Sequence, residues 1–174
     1  MGYVWPMFGK IILAAAVFVA LRGAPGAMAL PAEARVERLA VFKARREMEA
    51  YQGGKLLKTY KIALGFSPVG AKRFEGDGKT PEGLYHVGGK NPRSRYHKNL
   101  GVDYPNAQDK AYARKRGKSP GGDIKIHGLG KVFGPLGAAH ALTDWTLGCI
   151  AVTNEEIDEL YAVTPVGAEI EILP

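Results

Sequence analysis

Alternating hydrophobic and polar positions dominate the first half of the chain, and this period of two predicts β-strands. The predicted strands are 36–44, 46–51, 55–64 and 84–87. Gly53-Gly54 is a turn signal between the second and third of them. Strands that follow one another through such short turns form a β-meander.

The second half of the chain adds short helices to this sheet. A basic segment at 106–116 is predicted to be helical. Thr153 followed by Glu156 forms a capping-box pattern that starts a further helix, which runs through Tyr161. A last strand at 168–172 places its apolar residues on one face. The pattern as a whole predicts a mainly β fold with short helices.

The strand before Gly128 presents a candidate catalytic histidine. Two isoleucines, Ile124 and Ile126, occupy alternate positions of this strand. A strand that buries them turns Lys125 and His127 to its opposite face. His127 is therefore a candidate for a cleft, and Gly128 ends the strand beside it.

Cys149 is the only cysteine of the protein, and Gly148 allows the backbone a tight turn immediately before it. A free thiol with a pKa of about 8.5 is only a few per cent thiolate at neutral pH, so it needs a base to act as a nucleophile. His127 is the candidate base. The adjacent N–H groups of Gly148 and Cys149 are candidates for stabilising the oxyanion of a tetrahedral acyl intermediate.

Both residues also have ordinary structural interpretations. Cysteine is among the most buried residue types and commonly packs as a small hydrophobe, and His127 is consistent with a loop or a strand end. Their occurrence together in an exported protein favours the catalytic interpretation. Arg95, Tyr96 and Tyr104 are candidates for lining a substrate cleft, with packing or solvent-exposed roles as the alternative.

Residues 1–29 have the organisation of a secretory signal peptide, with Lys10, an apolar run at 11–21 and the small-x-small sequence Ala27-Met28-Ala29. We expect the remainder, 30–174, to be one domain in the periplasm or cell envelope. An uncleaved anchor is the alternative and would be the only membrane contact, although the run is shorter than the roughly 20 residues of a full span. With one cysteine, the protein has no intramolecular disulfide, so the thiol is either inert or kept reactive.

Basic charge is concentrated in the middle of the chain. The formal net charge is +7 and the sequence pI is about 9.5, yet every charged residue after position 141 is acidic. The basic residues between Lys90 and Lys131 suggest a surface for an anionic partner, and the alternative, favoured for most of them, is that they only solvate an exposed face. For an exported protein, that partner is expected to be cell-wall polymer rather than nucleic acid.

No cofactor or metal is predicted. The segment 76–80, Gly-Asp-Gly-Lys-Thr, resembles the end of a phosphate-binding loop, but that motif requires a glycine where Arg73 stands. The segment is therefore interpreted as part of a turn-rich loop leading into the strand at 84–87. The histidines are too scattered for the tight ligand cluster of a zinc peptidase, and His140 is expected on the surface of a loop.

The order of these motifs resembles the YkuD-type L,D-transpeptidase catalytic domain, in the branch that includes YafK-like proteins. A strand ending in His127-Gly128 is followed by a loop and by Thr-Leu-Gly-Cys-Ile at 146–150. The T-P-E-G turn at 80–83, the Y-P-N-A-Q-D segment at 104–109 and the closing P-V-G-A-E-I-E-I at 165–172 are similar as well. The resemblance covers essentially all of the chain after the signal segment and implies a β-sandwich-like catalytic domain.

The resemblance implies an exported enzyme of peptidoglycan synthesis, and hence of cell-wall biogenesis and cell shape. Cys149 would attack the carbonyl of the diamino acid at position three of a stem peptide and expel the terminal D-alanine, with His127 as base. An amine of a second stem peptide or of a wall-linked protein would resolve the thioacyl enzyme, and water would give hydrolysis. The Gly128 carbonyl would orient the imidazole, and Thr146 would brace the loop before Cys149.

Two departures from the family pattern leave the acceptor and the cleaved bond open. Leu147 occupies the position of a second histidine, and Ala151 follows Ile150 where many members have arginine. The alternatives are an L,D-carboxypeptidase or amidase of the same fold, and a wall-binding module without catalysis. Sortases need an arginine beyond the cysteine, and papain-like and NlpC-type hydrolases place the cysteine before the histidine, so these classes are excluded.

Overall fold

Eight strands form a single curled sheet in the computed structural model, which describes residues 1–2 and 29–174. The strands are β1 (Arg38–Phe42), β2 (Glu47–Gln52), β3 (Lys55–Lys61), β4 (Gly83–Ser94), β5 (His97–Val102), β6 (Lys125–His127), β7 (Ile150–Ala151) and β8 (Glu169–Leu173). The helices are α1 (Ala107–Arg114), α2 (Gly130–Phe133) and α3 (Asn154–Val163), with a 3₁₀ segment at Gly134–Leu142. The predicted mainly β fold with short helices is confirmed.

The proposed signal segment lies mostly outside the described residues, because these omit 3–28. Among the helices of the described ranges, none is long and apolar enough to cross a membrane. The signal peptide and the domain boundary at residue 30 therefore stay predictions.

The order of the strands brings β6 and β7 side by side at one end of the sheet. That order is β3-β2-β1-β8-β4-β5-β6-β7, and β1, β2 and β3 form the predicted meander. β7 runs parallel to β6, with Ile126 opposite Ile150 and His127 opposite Ala151. Because Cys149 immediately precedes β7, this register places it beside the strand that carries His127.

The curl closes the sheet on itself. Ala63, shortly after β3, exchanges two backbone hydrogen bonds with Ala151 of β7, at 3.1 and 2.9 Å. The N–H of Thr146 donates to the carbonyl of Leu64 at 3.0 Å, and the N–H of Phe66 donates to the carbonyl of Thr146 at 2.9 Å. The segment that carries Cys149 is consequently held by β6 on one side and by residues 63–66 on the other.

Aliphatic side chains from alternate strand positions fill the interior of the curled sheet. Leu39 of β1 and Ile170 of β8 are fully buried, as are Ile157 and Leu160 of α3. These residues belong to one continuous core cluster. α3 therefore covers the core with its apolar face, which fixes its N-terminus close to the end of β6.

The predicted capping box starts α3. The hydroxyl of Thr153 accepts a hydrogen bond from the N–H of Glu156 at 3.2 Å, and the Glu156 carboxylate accepts one from the N–H of Thr153 at 2.8 Å. The basic helix predicted at 106–116 is also present as α1, and Asn106 caps it through hydrogen bonds from two backbone N–H groups.

The hairpin of β4 and β5 differs most from the predicted elements. The sequence predicts one short strand at 84–87, whereas β4 extends to Ser94 and β5 returns from His97. All side chains from 88 to 98 are exposed or half-buried, so buried alternate positions mark the two strands only away from the tip, at Tyr85 and Val87 of β4 and at Leu100 and Val102 of β5. His97 turns the chain with a φ of 76°, in the left-handed region. The hairpin tip lies against the segment after β6, since a Cβ at Gly130 would be 2.5 Å from the Arg95 carbonyl oxygen.

Candidate active site

Cys149 follows a bend that requires glycine. Gly148 has a φ of +127°, and a Cβ atom there would lie 2.5 Å from the carbonyl oxygen of Lys79. The hydroxyl of Thr146 accepts a hydrogen bond from the N–H of Gly148 at 3.1 Å and donates to the carbonyl of Cys149 at 2.7 Å. A single side chain thus joins both ends of the bend and fixes the backbone around the thiol.

The loop at 65–83 supports this bend and is itself held by Asp77. The Asp77 carboxylate accepts hydrogen bonds from the backbone N–H groups of Arg73, Phe74 and Lys79 and from Nζ of Lys72. Burial would raise the pKa of Asp77, but these donors outweigh burial and lower it. Asp77 therefore binds backbone amides on both sides of itself, including that of Lys79 in the Gly-Asp-Gly-Lys-Thr segment, which agrees with interpreting this segment as part of a loop.

His127 is almost completely buried at the end of β6, with 3% of its surface exposed. Its Nδ1 lies 2.6 Å from the carbonyl oxygen of Gly128, which can only accept, so we assign the proton to Nδ1 and leave Nε2 as an acceptor. Burial lowers the pKa of His127 below its ordinary value of 6.5, against the opposing effect of the Gly128 contact. The imidazole is therefore neutral at pH 7 and available as a base.

Two aromatic rings hold the imidazole in place. Tyr96 stacks on it with ring centroids 4.7 Å apart, and Trp145 packs edge-on with centroids 5.9 Å apart. Trp145 in turn packs against Phe133 at 5.0 Å. Stacked and edge-on contacts of this kind restrict the orientation of a ring, so Nε2 keeps one direction.

Asn154, which the sequence does not mark as a site residue, holds the backbone after His127. Its Oδ1 accepts hydrogen bonds from the N–H groups of Leu129 at 2.8 Å and Gly130 at 3.0 Å. A Cβ atom at Gly128 would lie 2.8 Å from the same Oδ1. The sequence shows Asn154 only as the first residue after a helix cap, and that local signal does not reveal that its side chain reaches back to β6.

Cys149 and His127 line one cavity of about 250 Å³. The hairpin contributes much of the remaining wall, including Arg95, Tyr96 and Asn99. A larger cavity of about 440 Å³ shares Arg95 and Tyr96 with it but holds neither Cys149 nor His127, so size alone does not identify the site. Within the described ranges, no group of three or more His, Cys, Asp or Glu side chains is placed to hold a metal ion.

The thiol and the imidazole that line this cavity are both neutral at pH 7. The Cys149 sulfur is half-buried and lies 3.7 Å from the carbonyl oxygen of Asp123. Burial raises the thiol pKa of Cys149 above its ordinary value, while the N–H and the charge of Lys125 act in the opposite direction. The thiol is therefore protonated at neutral pH and has to pass its proton to a base as the sulfur attacks.

Tyr104 is a correction to the predicted site. It is only 5% exposed, its hydroxyl donates to the carbonyl of Pro120 at 2.8 Å, and its ring packs edge-on against Tyr85 at 6.0 Å. The residue therefore belongs to the core and lines neither cavity beside the hairpin. By contrast, Arg95 and Tyr96 do line the thiol cavity.

Two further expectations change. His140, expected on the surface of a loop, is only 2% exposed, and its Nδ1 has no hydrogen-bond partner among the described residues. Burial lowers its pKa. The N–H of Gly148, expected to bind an oxyanion, donates to Thr146, whereas the N–H of Cys149 has no partner in the described part of the chain.

Asn99 is a second site residue that the sequence does not reveal. It lies on β5 directly opposite His127, is 3% exposed and lines the thiol cavity. Leu100 and Val102 are the buried alternate positions of β5, so alternation places Asn99 on the opposite face, and the sequence does not display that this amide is also buried.

The sequence of this chain matches a family model and a curated relative. The family model of the YkuD L,D-transpeptidase catalytic domain matches residues 37–172. The chain is also 32% identical to YafK of Escherichia coli strain K12 over 127 residues, which is 70% of this chain and 44% of YafK. The chain thus spans less than half the length of that curated relative.

Solved structures share the fold. Pgp2, the helical cell shape determining protein of Campylobacter jejuni, is 30% identical with a TM-score of 0.58, over 86% of this chain and 51% of Pgp2. An L,D-transpeptidase of Enterococcus faecium is 15% identical with a TM-score of 0.52, over 80% of this chain and 50% of that structure, and this likeness concerns the fold alone. The expected L,D-transpeptidase fold is confirmed, and the chain belongs to the YkuD family of L,D-transpeptidase catalytic domains.

Proposed function

We propose that this protein is an exported, cysteine-dependent L,D-transpeptidase that acts on peptidoglycan stem peptides through a thioacyl-enzyme intermediate. The observation that carries the proposal is the cavity shared by Cys149 and His127 in a chain of this family. A neutral imidazole beside a protonated thiol is the starting pair for general-base catalysis of thiol attack.

In the proposed reaction, the thiol proton moves to Nε2 of His127 as the Cys149 sulfur attacks the carbonyl carbon of the diamino acid at stem position three. The amide C–N bond to the terminal D-alanine then breaks, and the imidazolium gives its proton to the leaving amine. An acceptor amine, from a second stem peptide or a wall-linked protein, attacks the thioester and loses a proton to His127. The sulfur leaves and recovers that proton, so the free enzyme is regenerated.

The N–H of Cys149 is the proposed donor to the oxyanion, because it has no partner among the described residues. The N–H of Gly148 becomes a second donor if the Thr146 hydroxyl turns away from it when substrate binds. A single donor of this kind is worth roughly 2.7–4 kcal/mol of transition-state stabilisation. Thr146 is thus proposed to act on the backbone of the bend rather than on the substrate.

The proposed base sets the pH dependence of the reaction. The pKa of His127 in the folded protein is below 6.5, so activity is retained at pH 6.5 and above and is lost as the pH falls through the lowered pKa. The unfolded chain binds a proton at this residue more readily than the folded chain. Folding stability therefore also decreases as the pH falls below about 6.5.

We also propose that residues 1–29 are the signal segment, that 30–174 are the catalytic domain, and that the enzyme acts in the cell envelope. The support is the apolar run ending in Ala27-Met28-Ala29. The proposed substrate also lies outside the cytoplasm. Membrane contact would be confined to the signal segment if it is retained.

Product analysis by mass spectrometry tests the proposed function. The purified protein is incubated with tetrapeptide-bearing muropeptides, and loss of D-alanine is expected in the wild type and absent in Cys149→Ala. His127→Gln is expected to lose the reaction, whereas His86→Gln is the matched control, because the His86 side chain is 51% exposed and pairs with Asp103.

The products separate the related activities. A cross-linked dimer supports transpeptidation, and a free tripeptide without dimer indicates an L,D-carboxypeptidase. Release of peptide or protein only from linked wall indicates an amidase. Intact substrates of every kind, together with a Cys149 thiol that a carbapenem does not acylate, would leave a wall-binding module and overturn the proposal.

A further inference from the structure

Two exposed arginines border the cavity that holds Cys149. Arg93 and Arg95 lie on the hairpin and line this cavity. Elsewhere in the chain, Arg38 and Arg46 each pair with a carboxylate. Within the described residues, no carboxylate forms an ion pair with Arg93 or Arg95.

The charge around the cavity is unbalanced. Lys125 adds a third cation, and the only carboxylate lining the cavity in the described structure is that of Asp123. Asp123 already pairs with Lys125 at 2.7 Å. The described residues therefore leave the two hairpin guanidinium groups without a counter-charge, and a guanidinium group matches a carboxylate through two parallel hydrogen bonds.

The strand after Cys149 does not supply positive charge to the site. Ala151 is fully buried and packs with Ala63 and Leu129. Every charged residue after position 141 is acidic. An anionic group of a bound peptide is therefore attracted to the hairpin side of the cavity.

We propose that Arg93 and Arg95 form a carboxylate-binding subsite that selects peptides whose residue beyond the scissile bond ends in a free α-carboxylate. This inference rests on the proposed function, because it assigns the leaving residue of the acyl donor to the subsite. The carboxylate of that residue lies one residue beyond the carbonyl that the sulfur attacks. A cavity of about 250 Å³ that contains both the thiol and the arginines suits a leaving group of this size.

The first experiment compares tetrapeptides that end in a free carboxylate or in a carboxamide. The wild type is expected to favour the carboxylate by about tenfold or more in kcat/KM, the effect of one charge-assisted contact. The double variant Arg93→Gln/Arg95→Gln is expected to lose this preference through a higher KM for the carboxylate peptide. Replacing both arginines by lysine is expected to restore part of it, since the charge returns without the planar fork.

A second experiment needs no peptide turnover. Iodoacetate and iodoacetamide alkylate the same thiol and differ in charge, so the ratio of their rates at Cys149 reports on attraction of a carboxylate. The ratio is expected to fall in the double glutamine variant at low ionic strength, and the difference is expected to shrink as salt is added. Arg114→Gln is the matched control, since Arg114 is exposed at the end of α1 and does not line the cavity.

The two readouts separate failure of the subsite from failure of the proposed function. If no peptide is turned over but the alkylation ratio falls only in the hairpin variant, the two arginines do attract a carboxylate to the thiol, and it is the proposed function, with the assignment of the leaving residue, that fails. If the double variant releases D-alanine with an unchanged preference and an unchanged alkylation ratio, the function stands and the subsite is overturned. An equal fall of the ratio in Arg114→Gln also overturns the subsite, because general surface charge would then explain the attraction.

Discussion

The loop at 65–83 and the cavity that contains Cys149 differ in whether their charged side chains have partners within the protein. Lys43, which directly follows β1, is 2% exposed and reaches into the loop, where it donates to the carbonyls of Gly70 and Thr80 and to the Glu82 carboxylate, at 2.7, 3.2 and 2.7 Å. In the cavity, the exposed hairpin arginines have no carboxylate partner within the described residues. The charged group in contact with the loop is therefore paired within the protein, whereas the arginines at the cavity are available to bind a ligand.

This difference separates support from recognition. A buried charge with a full set of hydrogen-bond partners fixes the backbone around it. Removing one partner is strongly destabilising, because the others are left buried without a partner. A charge left without a partner at a cavity is available to bind substrate. Lys43 and Asp77 hold the loop at 65–83, the paired region, which supplies the Lys79 carbonyl against which Gly148 packs. The paired region therefore positions the thiol beside the arginines of the cavity.

Gly148→Ala changes the residue that packs against the loop and precedes the thiol, and it is expected to have the largest effect on activity and stability. The positive φ costs about 1–3 kcal/mol for alanine, and the contact with the Lys79 backbone adds about 1–3 kcal/mol of overpacking. Activity is expected to fall by at least about 100-fold, because a shift of about 1 Å in a reacting group has that effect. D-alanine release and thermal unfolding measure the two losses.

Gly167→Ala is the control for that substitution. Gly167 has a φ of +88°, but no atom of the described residues outside its immediate neighbours lies within 4 Å of the position that a Cβ would occupy. It therefore shares the backbone strain of Gly148 without the contact. An equal loss of stability and activity in both variants would show that the Lys79 contact does not position Cys149.

Lys43→Met tests the paired region alone. Loss of the ammonium group leaves the Glu82 carboxylate and the Gly70 carbonyl without this donor, while the Thr80 carbonyl keeps the N–H of Lys72, and we expect a destabilisation of about 3–5 kcal/mol. Arg38→Met removes the ion pair with Glu171. The side chains of Arg38 and Glu171 are 34% and 39% exposed, so this variant is expected to lose at most about 1 kcal/mol of stability. Denaturant unfolding measures both, and similar midpoints for the two variants would contradict the difference drawn between buried and exposed pairs.

Much of the fold and the outline of the site were predictable because their signals are local. The meander of β1 to β3 follows from alternation of side chains, and α3 begins at its capping box. The strand face of His127 follows from the two isoleucines beside it. Each of these signals lies within a few residues of the feature that it predicts.

The remaining features depend on contacts between distant segments. Tyr104 looks like a cleft residue in a polar stretch, but the fold brings it against Tyr85 in the core. His140 lies in a Gly- and Ala-rich segment that resembles a loop, yet the 3₁₀ segment folds it inward. The part of the β4–β5 hairpin from 88 to 98 has no buried side chains to show alternation. Partners such as Asn154 for Leu129 are set by tertiary structure alone.

Tyr96→Ala tests whether the β4–β5 hairpin, which carries the two arginines, also orients the His127 base. Loss of the ring that stacks on His127 is expected to lower kcat by about tenfold, equivalent to about 1.4 kcal/mol, which is the upper range for an aromatic pair. Tyr96→Phe keeps the ring and is expected to keep kcat. If phenylalanine lowers kcat as much as alanine, the hydroxyl rather than stacking is responsible.

Asp123→Asn is expected to have the smallest effect, and it acts on the electrostatic balance of the cavity. Burial raises the pKa of Cys149, and the Asp123 carboxylate adds to this rise, whereas Lys125 opposes it. Removing the carboxylate charge therefore lowers the thiol pKa, and the rate of alkylation by iodoacetamide should reach its plateau at a lower pH. The shift is small because the Asp123 side chain is 83% exposed and solvent screens its charge.

The asparagine variant isolates this charge from the backbone around the thiol. Asparagine tolerates the left-handed φ of 60° at position 123, so the carbonyl that faces the sulfur stays in place. Asp103→Asn is the control, since Asp103 pairs with His86 and does not line the cavity. A shift toward higher pH, or an equal shift in the control, would mean that the cavity charges do not set the thiol pKa. The arrangement of charged groups around the cavity would then have no effect on the reactivity of the Cys149 thiol.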